Sequence, residues 1–331
     1  MNKSLLEYNG SLLLEGKFIV SPYGVSKDTP NGEITPLEDE VIYNNSKNKI
    51  DIDYRKIKAL TIINGMGVTL GDSVIGVSAL HTIKKINSDI KISVIRPELC
   101  PDYVNEVYDL SEKVIDNISY MPFNIDNIPN DGTVIDIGNQ LYWDDFSKKE
   151  MHDFFLDNLG VNSKEISHSD KSNHWLIDVL LPKTDLGDYV LFCPNASTKI
   201  RSIPQRFHYK IVEALSVKYK MNVFGFVDVN HPNYTNISKL SKTTKEFISI
   251  IKNSKYLYTC DSSALHIGAG FGIPTTCIFT TVKPEYRSIY YKNCESYYIG
   301  TFETEGIHSS ENNNLIDLID LEFEVLYAKF K

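Results

Sequence analysis

Cysteine is scarce and scattered in this sequence. The five present, Cys100, Cys193, Cys260, Cys277 and Cys294, lie far apart, and none forms a C-x-x-C pair. This excludes a disulfide framework and argues against a metal site built on thiolates, so reduced and mostly buried thiols are expected, as suits the cytoplasm. Long apolar runs are also missing. None approaches the roughly 18–20 residues a membrane span requires, which leaves only a peripheral membrane contact open. The start, "MNKSLLEYNGSLLLEGKF", has no long apolar core and no small-residue cleavage site, so no signal peptide is expected. Basic residues are outnumbered, 34 Lys and Arg against 43 Asp and Glu, for a net charge of −9. Such a chain repels phosphodiester backbones, so nucleic acid is not the expected partner. A local basic pocket for one small phosphorylated molecule is compatible with that balance.

What is present is a soluble globular composition, 42% apolar and 23% charged over 331 residues, enough for two domains with separate cores. Residues 1–57 form a distinct zone of short strand-like pieces, "SLLLEGKFIVSPYGV" and "GEITPLEDEVIYN", split by the turn "KDTPNG"; they read as a β-rich N-terminal appendage. The first strong element is the β-branched run "KALTIING" (58–65), a buried strand. The loop "MGVTLGD" follows, and then "SVIGVSALHTIKKI" repeats Val74, Val77, Ile83 and Ile86 at helical spacing, with Leu80 between. "IKISVI" (90–95) and "TVIDIG" (133–138) are further strands, and 148–160 reads as a helix ending at Gly160. This is β-loop-helix-β, the unit of a parallel sheet covered on both faces.

The chain turns polar from 161 to 187, and the pattern then restarts. "YVLFC" (189–193), "MNVFGF" (221–226), "YLYTC" (256–260) and "TTCIF" (275–279) read as strands, with helices at 203–219, at 243–254 after a Thr243 or Thr244 cap, and at the "SSALHIGAGFG" stretch. An acidic amphipathic helix closes the chain. The division expected is 1–57 appendage, 58–183 first α/β domain, 184–305 second α/β domain and 306–331 C-terminal helix. Two tandem doubly wound α/β domains should bind ligand outside the carboxyl ends of their strands, with a cleft between them.

Three polar loops follow strands directly. "CDSSALHIGAGFGIP" (260–274) places Asp261 as an expected N-cap, with Ser262 and Ser263 opening the helix. A helix start offers free N–H groups and partial positive charge, which suits a phosphate. His266, one turn on, can point to the same mouth. An ordinary capped helix with a satisfied histidine fits the spacing equally well. "NASTKIRS" supplies Ser197, Thr198, Lys199 and Arg201 ahead of a helix, either a second anion cradle or a solvated loop. In "TLGDSVIG", Asp72 is an ordinary N-cap or a general base for a hydroxyl proton.

The order of these motifs resembles glycosyltransferase family 9, the ADP-heptose:lipopolysaccharide heptosyltransferase group. "GDSVIGVSALHTIKK" is similar to that family's "GD" loop and helix, with Ser78 at the usual proline. "NASTKIRSIPQRF" is similar to its "G-A-S…K-R-W-P" region, without the tryptophan. "SKTTKEFISIIKNSKYLYTCDSSALHIGAGFGIP" tracks its "D-S-G-x-x-H" motif, with Ser263 at the glycine. The similarity runs from about Lys58 to Tyr290. It implies a GT-B fold, a nucleotide-diphosphate sugar donor (ADP-heptose first) held by the second domain, and metal-independent, inverting transfer with no cofactor. It implies that Asp72 is the base, that Ser197, Thr198, Lys199, Arg201, Asp261, Ser262, Ser263 and His266 hold the donor, and that the acceptor is a surface glycan or a protein. The alternatives are a GT-B nucleotide-sugar epimerase, a non-catalytic two-lobed binding protein and an enzyme that glycosylates modified DNA bases. The acidic balance argues against the last. The oligomeric state stays open.

Overall fold

The computed structural model describes residues 3–329; residues 1–2 and 330–331, the outer ends of the expected appendage and closing helix, lie outside the described residues. The chain separates into two compact units, Met1–Lys171 and Ser172–Lys331. The division falls ahead of the expected 183/184 boundary, because the irregular segment from Ser172 packs with the second unit. Asn173 donates to the backbone oxygen of His266 (3.0 Å), and Gly270 approaches the Asn173 carbonyl so closely that a Cβ there would lie 2.7 Å from it.

The first unit begins with α1 (Lys3–Leu6) and a small antiparallel sheet in which β1 (Leu12–Leu14) lies between β2 (Phe18–Val20) and β3 (Ile34–Pro36), with α2 (Pro22–Lys27) before β3. β4 (Ile42–Tyr43) then leaves the antiparallel sheet for the edge of a parallel sheet. That sheet is built from β5 (Ala59–Ile63), α3 (Leu70–Ile86), β6 (Lys91–Pro97), α4 (Asp102–Asp109) and β7 (Asn117–Met121). After β8 (Phe123–Asn124) the chain adds β9 (Thr133–Asp136) and α5 (Met151–Asn158). The sheet order is β4-β9-β5-β6-β7, all parallel, while β8 returns to pair with β2 in the antiparallel sheet. The β-branched content of β5 and β6 suits strands covered on both faces. In α3, residues 73–80 are all buried, so this helix is covered nearly all round rather than along one stripe. Ile86, at its end, is exposed.

Residues 1–57 are therefore not a separate appendage. Ile19 of β2 and Leu37, just after β3, share one apolar cluster with Ile63, Ile95, Met121 and Val134 from the parallel sheet. A polar tether reinforces this. The buried Asp136 carboxylate accepts the Ser11 amide (2.7 Å), the Ser11 hydroxyl (2.8 Å) and the Gly138 amide (3.0 Å). Burial pushes this carboxyl up, and the three donors oppose the shift. Asp136→Asn is expected to lower unfolding stability by about 2 kcal/mol, because the new NH2 group would face a donor and leave buried groups unpaired. An unchanged urea midpoint would remove this tether from the account.

The second unit carries β10 (Tyr189–Cys193), α6 (Gln205–Tyr219), β11 (Asn222–Gly225), β12 (Tyr234–Asn236), α7 (Thr244–Asn253) and β13 (Tyr256–Cys260). It continues with α8 (Ser263–Gly270), β14 (Thr275–Phe279), β15 (Cys294–Tyr298) and the closing α9 (Asn313–Lys329). Its sheet, β12-β11-β10-β13-β14-β15, is parallel throughout. α7 starts with a complete capping box between Thr243 and Glu246. Ile319 and Phe323 of α9 bury against this unit, with Phe323 stacked on Phe207 (ring centroids 5.5 Å apart), so the acidic helix is part of the fold. Four cysteines are buried, Cys294 is half-buried, and all five are free thiols. Among the described residues, no helix is long and apolar enough to cross a membrane.

Candidate functional site

Each parallel sheet has a point where the strand order reverses, and there the loops leaving the carboxyl ends of neighbouring strands diverge to make room for a ligand. In the first unit this point lies between β5 and β9, and in the second between β10 and β13.

In the first unit, the loop after β5 is bent sharply. Asn64, Met66 and Gly67 all adopt positive φ (61°, 61° and 88°), and the two that are not glycine carry strain that the surroundings must hold. Asn64 and Gly65 donate their amides to the Ile95 carbonyl (2.8 and 3.3 Å). The wholly buried Arg96 donates to the carbonyls of Gly65 (2.7 Å) and Gly67 (3.3 Å), and its guanidinium lies 3.4 Å over the Tyr108 ring. Burial pushes the Tyr108 hydroxyl up to about 12. That hydroxyl donates to the Gly65 carbonyl (3.1 Å). This scaffold delivers the start of α3.

Asp72 does not cap α3 as an N-cap. Thr69 holds that place, and its side chain accepts the Asp72 amide (3.4 Å). Asp72 is the third residue of the helix, half-buried, and its Oδ2 accepts the Thr69 hydroxyl (2.8 Å). The sequence cannot separate these positions, because Thr and Asp both cap well. Beside Asp72 stands Gln140, from the loop after β9, which the sequence reading did not single out.

In the second unit, Ser262 is the N-cap of α8 and Asp261 precedes it, a correction to the expected Asp261 cap. No side chain caps the first turn of α8. The Ser262 hydroxyl instead lies 3.2 Å from that of Thr259, while Ser262 and Ser263 are half-buried. Asp261 is buried and belongs to Arg201. The Arg201 Nη2 donates to the Asp261 backbone oxygen (2.7 Å), and Nε lies 3.2 Å from Oδ2, an ion-pair contact rather than an aligned hydrogen bond. Burial pushes the Asp261 carboxyl up, but the charges of Arg201, Arg287, His266 and His308 outweigh it and hold the carboxyl below its ordinary range. Arg201, expected as a partner for phosphate, thus spends its fork tying the loop after β10 to the loop after β13. Arg287 is a second buried cation here that sequence reading missed. His266 is buried, with Nδ1 2.8 Å from the Tyr291 hydroxyl and the rings edge to face. That contact is built into the fold, and the expected open mouth does not hold for this nitrogen.

Ser197, Thr198 and Lys199 fare differently. They line a cavity of about 750 Å³ at the carboxyl ends of β10 and β11, beside the start of α6. Pro204 stands at the N-cap of α6, with no side-chain cap. Ser197 and Lys199 are exposed, and the Thr198 hydroxyl donates to the His308 carbonyl (3.2 Å). Ile316 and Ile319 supply an apolar wall, and Asp228, just after β11, a carboxylate. Sequence reading missed Asp228. Its signal was an acidic residue directly after the second strand of a nucleotide-binding-type unit. Arg206, in the first turn of α6, is already engaged by Asp320 (3.0 Å) and Glu324 (2.7 Å). Among the described residues, no group of three or more His, Cys, Asp and Glu is placed to hold a metal ion.

No protein-family model matches the sequence, and no curated protein matches it. Solved structures do. A glycosyltransferase family 9 protein from Veillonella parvula superposes with a TM-score of 0.51 at 13% identity, over 77% of this chain and 88% of that one. TibC from enterotoxigenic E. coli, an iron-containing dodecameric glycosyltransferase, superposes with a TM-score of 0.50 at 12% identity, over 86% of this chain and 78% of that one. The TibC complex with ADP-D-β-D-heptose gives 0.50 at 13% identity, over 91% and 81%. In its mixed α/β architecture, with two parallel sheets, this chain shares the fold of the solved family 9 protein and of TibC.

Proposed function

We propose that this protein is a GT-B glycosyltransferase that moves a sugar, heptose first, from a nucleotide-diphosphate donor to an acceptor hydroxyl, with inversion and without a metal or cofactor. The observation that carries the reading is the cavity of about 750 Å³ beside the uncapped start of α6. It combines features that a nucleoside diphosphate needs: an apolar wall for the base, a carboxylate for ribose hydroxyls, and cationic and N–H donors for phosphate. In this reading Ile316 and Ile319 flank the base and Asp228 takes the ribose. Ser197, Thr198 and Lys199, with the N–H groups opening α8 at Ser262 and Ser263, bind the diphosphate. The Arg201–Asp261 link shapes that second loop, and its charge assists the leaving diphosphate. The superposed TibC complex with ADP-D-β-D-heptose favours adenine and heptose.

Asp72 acts as general base. Its ionised carboxylate takes the acceptor proton as the acceptor oxygen attacks the anomeric carbon, and the bond to the diphosphate breaks on the opposite face. A carboxylate needs only to be ionised and placed, and the Thr69 hydroxyl fixes one of its oxygens. The acceptor is a surface glycan or a protein hydroxyl.

A thermal-shift series with ADP, GDP, UDP and CMP and their sugar conjugates tests the donor site. A ligand at about a hundred times its Kd adds about 2.7 kcal/mol to the folded state. ADP-sugars are expected to raise Tm by several degrees, and Lys199→Ala to remove most of that rise. Indifference to every nucleotide would sink the reading.

A further inference from the structure

Asp72 leaves the loop after β5, and Gln140 leaves the loop after β9, the neighbouring strand at the reversal point of the first sheet. Gly67 shows how closely the two face each other. A Cβ built there would lie 3.0 Å from Asp72 Cβ, 3.5 Å from Gln140 Oε1 and 3.7 Å from Asp72 Oδ2. With φ of +88°, this position favours a residue with no Cβ, which lets the loop pass close to both side chains. Gln140 is only 7% exposed, yet its Nε2 has no hydrogen-bond partner among the described residues. Buried amides are nearly always paired, and one that is not calls for a reason.

The loop bearing Gln140 is rigidly held. Asn139, at φ 55°, donates its side-chain amide to the carbonyls of Leu6 (2.9 Å) and Tyr8 (2.6 Å), and Trp143 Nε1 donates to the Gly138 carbonyl (2.8 Å). Leu141 and Tyr142, next along, are exposed at 65% and 47%.

We propose that Gln140 is an acceptor-binding residue, its amide holding the hydroxyl adjacent to the one that Asp72 deprotonates. This rests on the reading of Asp72 as the base. The terminal amide torsion is soft, so a half-turn carries the unpaired Nε2 to the side that faces Gly67 and Asp72 without breaking a bond from that nitrogen. A carboxylate and an amide that flank Gly67 match two neighbouring hydroxyls, one donating to Asp72 and one accepting from Gln140. A pyranose diol offers that pair and a lone serine or threonine hydroxyl does not. The structure therefore assigns the acceptor to the vicinal-diol class, with the N-terminal segment serving to brace the loop that reads it.

Saturation-transfer NMR without donor tests this. The probes are methyl α-D-mannopyranoside, methyl β-D-galactopyranoside and, as the lone-hydroxyl control, N-acetylserinamide. At least one glycoside is expected to bind the wild type, the control is not, and Gln140→Leu is expected to weaken glycoside binding at least tenfold while the nucleotide-induced Tm shift stays as in the wild type. Gln140→Met, close in size and without a hydrogen-bonding amide, serves if the leucine variant does not fold, with the same loss expected. Binding of neither glycoside, wild-type binding by the folded variant, or preference for N-acetylserinamide overturns the proposal. Glycoside binding needs no donor, so a protein that binds glycosides through Gln140 but turns over no nucleotide sugar would refute the transferase reading and leave Gln140 as a diol-binding residue without an acceptor role.

Discussion

Asp72→Asn is expected to fold like the wild type and to lose transfer by a factor of about 10²–10⁴, the range set by removing a positioned general base. The near-normal fold follows from geometry. Asparagine keeps an oxygen for the Thr69 hydroxyl, and Thr69 keeps its bond to the residue 72 amide. What the helix start loses is one favourable charge near its positive end, about 0.3–1 kcal/mol. Donor binding, which the proposed function places in the second unit, should be untouched, so the nucleotide-induced Tm shift is the internal control. The measurement is single-turnover transfer from ADP-heptose alongside a melting curve. Wild-type turnover in the asparagine variant would strip Asp72 of its role. A large drop in Tm would reassign it to holding the strained loop at Asn64–Gly67.

Arg201→Ala is expected to do the opposite, costing stability first. The Asp261 side chain is 3% exposed and that of Arg201 20% exposed. Removing one partner of such a pair leaves a buried carboxylate without its main counter-charge, a loss of about 3 kcal/mol, or roughly 10 °C in Tm for a unit of this size. The pH dependence has a definite sign. In the wild type the Asp261 carboxyl is held below 3.8, so its contribution is present above that value and is lost as pH falls through the lowered folded pKa. Without Arg201, burial is opposed only by Arg287 and the two histidines, and the carboxyl moves upward. The stability deficit of the variant should then be smallest in acid, where Asp261 is protonated, and should grow as pH rises through the carboxylate range. Denaturation midpoints from about pH 3 to 7 measure it. A deficit that does not vary with pH would mean that packing of the arginine stem, not its charge, matters here. Arg201→Lys keeps the charge but cannot serve both Asp261 oxygens at once, and falls between.

Much of the secondary structure is legible because burial writes itself into composition. β5, β10, β13 and β14 are runs of β-branched, aromatic and other apolar residues, and each is a strand. β7, β12 and β15 escaped notice for the complementary reason. β7 and β12 are edge strands, β15 is the other edge of its sheet, and all three carry exposed or half-exposed residues that blur the pattern. The N-terminal segment misled because its short pieces look independent. Their partners, Asp136 and the cluster around Ile63, lie far along the chain. At the site, spacing brought Asp261 and Ser262 to a helix start, and they stand there. It could not show which of them caps, since the choice is made by an arginine sixty residues earlier. Nor could it show that His266 turns to Tyr291. Positive φ at Asn64 and Met66 leaves no trace in composition, because neither is glycine.

By itself the sequence determined the α/β class, the alternation of strands with helices, the polar loops at strand ends and the motif order that resembles family 9. These are local properties, set by periodicity, capping residues and turns. Only the tertiary structure decided which strands are neighbours, that residues 3–57 share a core with the first sheet, that Arg201 belongs to Asp261, and that Gln140 stands beside Asp72. Each of those is a pairing between residues far apart in the chain. Whether a charge or an amide is satisfied depends on what the fold brings against it, and no window of neighbouring residues contains that information.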